Sequence, residues 1–67
     1  MRIETSEYEF SHGKKPRGIG RWAFDFFRNG SCTTEFCPYQ CSLTEAKRWA
    51  QQEAKQIGGI VKIQVGS

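Results

Sequence analysis

The stretch Arg21–Cys37, RWAFDFFRNGSCTTEFC, decides the fold. Its first half alternates. Trp22, Phe24 and Phe26 fall on one side of an extended chain, and Arg21, Ala23, Asp25 and Phe27 on the other. Asn29-Gly30 follows at once, a dipeptide that tolerates the positive φ angles of a type I′ turn and is the strongest short hairpin signal. The spacing predicts a strand over 21–28 and an antiparallel return over 31–37. Pro38 has no N–H to give to a ladder, so it marks that strand's end or an edge.

Beyond the hairpin, Ser42-Leu43-Thr44-Glu45 is a capping box, in which the Ser42 hydroxyl accepts from the Glu45 amide and the Glu45 carboxylate reaches back. Leu43, Ala46, Ala50, Ala54 and Ile57 recur at helical spacing with Trp49 at the margin, while Lys47, Gln51 and Lys55 line the solvated side. Gly58-Gly59 ends the helix. Residues 60–65, IVKIQV, predict a last strand with Val61, Ile63 and Val65 facing in. Upstream, residues 3–10, IETSEYEF, alternate loosely and predict a strand with Tyr8 and Phe10 on one face and Glu7 and Glu9 on the other. Residues 11–20 hold three glycines and a proline and predict a loop. The expected fold is α+β in the order β-β-β-α-β, an antiparallel sheet with one helix packed across one face. The helix buries Trp22, Phe24 and Phe26. The other face stays open and carries Arg21, Asp25 and Phe27.

A chain of 67 residues makes a single domain, 1–67. At this size only about 60% of the unfolded chain's surface is buried. The aromatics Tyr8, Phe10, Trp22, Phe24, Phe26, Phe27, Phe36, Tyr39 and Trp49 are therefore read mostly as packing. No apolar run approaches the roughly 20 residues of a membrane span, and no apolar block of a secretory signal follows Arg2. The cysteine count is odd, Cys32, Cys37 and Cys41. That fits a cytoplasmic protein with reduced thiols, one disulfide plus a free thiol being the other arrangement.

Charge is unevenly spread. The run His12–Arg28, HGKKPRGIGRWAFDFFR, has a local balance of +4, against −2 for residues 1–11 and +1 for residues 29–67, within a chain total of +3. Lys14, Lys15, Arg17, Arg21 and Arg28 are thus the candidate contacts to nucleic-acid phosphates. Arginine on a strand also reads guanine edges when a sheet enters the major groove. The glycines Gly13, Gly18 and Gly20 among these cations suit a phosphate contact, but neither nucleotide-binding glycine pattern is present. The competing partner is a protein docking on the open sheet face, with Phe27, Tyr39 and Trp49 as candidate anchors.

Other chemistry is poorly supplied. Cys32, Cys37, Cys41 and His12 are nominal zinc ligands, but Cys32 and Cys37 lie five apart and face opposite ways on a regular strand. The lone histidine sits in a glycine-rich stretch with no evident cysteine partner, and Glu4, Glu7 and Glu9 read as a solvated edge. A chain this short has little volume for a closed pocket. The expectation is a non-catalytic domain with no cofactor, no metal and no small-molecule substrate.

Arg17-Gly18, then Gly20-Arg21-Trp22-Ala23, a hairpin, Leu43-Thr44-Glu45-Ala46 and the alanines Ala50 and Ala54 form a familiar succession. On these motifs residues 17–59 resemble the three-stranded-sheet-plus-helix DNA-binding domain of plant ethylene-response factors. The arm-binding domain of phage integrases looks similar. The resemblance implies that the sheet enters the major groove, with Arg17, Arg21 and Arg28 as contacts. The family's third-strand tryptophan has Phe36 as its nearest counterpart, and residues 60–65 and the first strand have none. In size and style the chain also looks like small phage or prophage accessory proteins. That group includes anti-CRISPR inhibitors, which bind host protein complexes. The expected partner is a nucleic acid, or alternatively a host protein.

Overall fold

The hairpin forms the middle of the sheet in the computed structural model, which describes residues 2–66. In chain order the elements are β1 (Ile3–Glu4), α1 (Ser6–His12), β2 (Ile19–Gly20), β3 (Ala23–Arg28), β4 (Ser31–Phe36), β5 (Cys41–Ser42), α2 (Leu43–Ile57) and β6 (Lys62–Val65). The class is α+β. The main sheet runs β1-β6-β3-β4, and β2 and β5 form a separate two-stranded pair. The sheet is mixed rather than antiparallel throughout, because β1 pairs parallel to β6, Ile3 against Ile63.

Local pattern explains the centre. β3 and β4 pair from Ala23↔Phe36 to Arg28↔Ser31, around the Asn29-Gly30 turn. Gly30 has φ 85 and Asn29 does not have a positive φ, so the turn is not the type I′ that its sequence suggested. The Ser42 hydroxyl accepts from the Glu45 amide at 3.4 Å, as the capping box requires. Ala46, Ala50 and Ala54 are the buried positions of α2. They let the helix approach the sheet face that carries Phe24, Phe26, Ile63 and Val65, all fully buried. Trp49 packs over that face, 6.1 Å from the Phe24 ring and 6.5 Å from Phe26. Burying each phenylalanine stabilises the fold by about 1.5–3 kcal/mol. Gly58 stops α2 with φ 78 and ψ 151, a conformation essentially reserved to glycine.

Three further expectations are corrected. Residues 3–10 are not one strand: only Ile3–Glu4 is extended, and α1 follows. The alternation of Tyr8 and Phe10 with Glu7 and Glu9 hid a helix. Glu7 and Glu9 sit in its first turn and His12 in its last, where they suit the helix dipole. Tyr8 and His12, one turn apart, stack at 4.1 Å, and Tyr8 also meets Trp22 at 5.8 Å. Phe10 is consequently turned outward and 87% exposed. Second, the loop 11–20 is partly ordered, beginning inside α1 and ending in β2. Third, Val61 does not face in; it is 59% exposed. The ladder pairs Phe27 with Lys62, yet the Val61 amide also reaches the Phe27 carbonyl at 2.8 Å, one residue out of register, so the inward alternation begins only at Ile63.

Candidate functional site

The cationic loop, residues 13–18, is held at both ends. Gly13 closes α1 with its N–H on the Glu9 carbonyl at 2.8 Å, and Tyr8 fastens that helix to Trp22. At the far end Ile19 pairs with Ser42 and Gly20 with Cys41, which binds the loop to the start of α2. The Trp22 indole N–H donates to the Cys41 carbonyl at 3.1 Å and secures the same junction from inside. Lys14, Lys15 and Arg17 are all exposed on this tethered loop, with Pro16 half-buried between them.

The tether creates a groove. Arg2, Thr5, Glu9, Lys15, Pro16, Leu43 and Lys47 line an open cleft of about 460 Å³ between β1 and α1, the loop and the first turns of α2. Three cations from distant parts of the chain converge here, against one acid. The Glu9 carboxylate accepts a hydrogen bond from the Thr5 hydroxyl at 2.6 Å. Arg2 lies 3.7 Å from Glu4 in an exposed pair, which screening makes worth little. Reading the sequence missed Arg2 and Lys47. Lys47 lies one turn beyond Leu43, but only the two-residue β2–β5 pairing brings it to Lys15, and so short a pairing leaves no periodicity to read.

Arg21, just before β3, and Arg28, its last residue, are engaged elsewhere. The Arg21 Nε donates to the Cys37 carbonyl at 3.3 Å, and an Arg28 Nη donates to the Ile57 carbonyl at 3.2 Å. Seven residues of extended chain separate them, about 23 Å, in a molecule 29 Å long. Arg28 therefore sits at the opposite end of β3 from the loop.

The open sheet face is balanced in charge. Asp25 lies at its centre and accepts from the Thr34 hydroxyl at 2.6 Å and the Gln64 amide at 3.0 Å, a polar ladder across β4, β3 and β6. Lys62 rests over the Phe27 ring at 5.1 Å. By register Glu4 shares this face with Gln64, so Glu4 and Asp25 offset Lys62 and Arg21. The candidate anchors do not share a surface: Phe27 is half-buried here, Trp49 packs on the opposite face, and Tyr39 is 47% exposed in the turn after Pro38. The most exposed aromatic of the open face is Phe36, at 62%.

The cysteines are free thiols. Cys37 and Cys41 are buried with their sulfurs 3.8 Å apart, while Cys32 is exposed. Burial pushes the Cys41 thiol above its usual pKa, and the contact with Cys37 and the charge of Glu45 push it further. His12 is stacked on Tyr8. Among the described residues no three His, Cys, Asp or Glu side chains gather to hold a metal ion, and no helix is long and apolar enough to cross a membrane.

These features define a small α+β domain with a mixed four-stranded sheet, one covering helix and a cationic groove beside that helix's first turns. Comparison with protein-family profiles, curated proteins and solved structures finds no match.

Proposed function

We propose that the protein is a non-catalytic nucleic-acid-binding domain that seats the phosphate backbone in the groove beneath the 14–17 loop. The observation that carries this reading is the convergence of Arg2, Lys15 and Lys47 on one cleft, with Lys14 and Arg17 exposed beside it. Nothing in local sequence requires that convergence. Phosphate is a fitting occupant because Arg2 and Lys15 are exposed, Lys47 is half-buried beside them, and the only acid lining the groove is hydrogen-bonded to Thr5. The N-terminus of α2 adds partial positive charge beside Leu43. Such a site positions a backbone and carries little base information. The balanced charge of the open face favours the groove over the sheet as the contact surface. Arg21 lies nearer to the loop than Arg28 does and is the arginine of the two more suited to extend it.

The test is fluorescence anisotropy with labelled duplex and single-stranded probes at about 50 mM salt, followed by a salt series. Binding should weaken steeply with salt. The double variant Lys15→Ala, Lys47→Ala should bind more weakly and flatten the duplex salt slope by about 1.8, two phosphate contacts at roughly 0.9 each. Absence of wild-type binding to either probe, or an unchanged slope in the variant, sinks the proposal.

A further inference from the structure

β4 is an outer strand, hydrogen-bonded to β3 on one side only. Two backbone bonds establish which of its groups face outward. The Cys37 amide donates to the Trp22 carbonyl at 2.7 Å, and on the other side of β3 the Gly66 amide donates to the Ala23 carbonyl at 2.8 Å. Hydrogen-bonded and non-bonded pairs alternate along an antiparallel ladder. Continuing from the Cys37–Trp22 bond, Phe24, Phe26 and Arg28 therefore exchange bonds with Glu35, Thr33 and Ser31. The N–H and C=O groups of Cys32, Thr34 and Phe36 point away from β3, along the free edge. All three residues are exposed.

Natural edges are blunted by lysine, proline, a bulge or brevity. The opposite edge, β1, is only two residues long. β4 pairs with β3 over six residues, SCTTEF, without a bulge and includes no lysine, arginine, proline or glycine; its one protective feature is the charge of Glu35, which points to the helix-covered side and leaves the outward backbone groups free.

We propose that this edge is a homodimer interface, in which β4 pairs antiparallel with β4 of a second copy about a two-fold axis through Thr34. The geometry selects the occupant and the register together. A continuous sheet requires matching faces, and a ladder requires outward groups to oppose outward groups. Centred on Thr34, both conditions hold: Thr34 meets the partner's Thr34, Cys32 meets the partner's Phe36, and every outward N–H and C=O of these residues finds a mate. Centred on Glu35, the same edge would set like charges directly opposite, which is destabilising. Centred on Thr33, it would run Phe36 past the end of the strand. The Thr34 register instead sets Glu35, the one charged residue of β4, opposite the partner's Thr33. It also lays the exposed Phe36 ring against the partner's Cys32 on the open face, whose balanced charges raise no repulsion. The joined sheet would present only the short β1 edges. An interface of one strand pair is small, and such interfaces are weak and concentration-dependent.

Sedimentation equilibrium of the full chain under reducing conditions tests this. The apparent mass should climb from 7.7 kDa toward twice that value as concentration rises to about 1 mM. Thr34→Pro removes an outward N–H and no backbone bond to β3, and beyond that costs only the exposed Thr34 hydroxyl bond to Asp25, so it should keep the fold, checked by circular dichroism, and abolish dimerisation. Phe36→Lys places a lysine on the open face of the edge and should weaken the dimer at least about tenfold. It carries the test if Thr34→Pro misfolds. The amides of Cys32, Thr34 and Phe36 should exchange more slowly in concentrated than in dilute wild-type solution. A single-chain mass at every concentration overturns the proposal. So does a dimer that folded edge variants leave unchanged, or exchange at these amides that ignores concentration.

Discussion

The Arg28 guanidinium donates to the Ile57 carbonyl at 3.2 Å and joins the turn end of β3 to the last turn of α2. Strand alternation puts Arg28 on the helix-covered face with Phe24 and Phe26, and the final carbonyls of a helix have no partner within it. A cation there also complements the negative end of the helix dipole. Arg28 is thus accounted for structurally. Arg28→Ala should lower stability by about 0.5–1 kcal/mol in urea denaturation. It should leave duplex affinity within about twofold of wild type at matched salt, well short of the loss from one phosphate contact at low salt. An affinity loss matching that of Lys15→Ala would put Arg28 back into the interface.

Glu35 faces α2 from the edge of the sheet, next to Glu53. Its own burial holds its carboxyl above the ordinary 4.5, and a hydrogen bond to Glu53 and that residue's charge hold it higher still. The unfolded chain releases this proton near 4.5, so between that value and the raised one the folded state binds more protons. Stability therefore declines as pH rises through that window, and the penalty is fully present above it. Glu35→Gln should raise the urea midpoint at neutral pH and remove this part of the slope, with the advantage vanishing below about pH 4.5. A glutamine variant less stable than wild type at pH 7, with the same slope, would refute the account.

How far the chain could be read in advance depended on whether the cause was local. The hairpin and α2 were legible because alternation, Asn29-Gly30 and the Ser42 cap act over a few residues. α1 was misread because Tyr8, Phe10 and the intervening glutamates satisfy a period of two; the competing evidence was the Tyr8–His12 spacing with Gly13 after it. β1 was beyond reach for a different reason. Two residues carry no pattern, and a parallel pairing of Ile3 with Ile63 spans nearly the whole chain. The groove divides the same way. Lys14, Lys15 and Arg17 stand out as a charge cluster, whereas Arg2 and Lys47 join them only through non-local pairings. Lys47 looked like an ordinary residue on the solvated side of a helix.

The three cysteines should differ sharply in reactivity. Cys32 is exposed on β4, whereas Cys37 and Cys41 are sealed in the core. The thiolate is the reactive form, and burial, then the neighbouring Cys37 and Glu45, disfavour it at Cys41. The sulfurs of Cys37 and Cys41 are 3.8 Å apart, against about 2.05 Å in a disulfide. With a chromogenic disulfide reagent at pH 8 and low protein concentration, the native chain should release one equivalent quickly. The remaining two should follow only at the rate of unfolding, and all three should react at once in denaturant. Cys32→Ser should abolish the fast phase alone. Rapid titration of all three thiols in the native state would mean that the junction of Trp22, Cys37 and Cys41 opens readily. The tether that holds the loop beside Lys47 would then be looser than these contacts require.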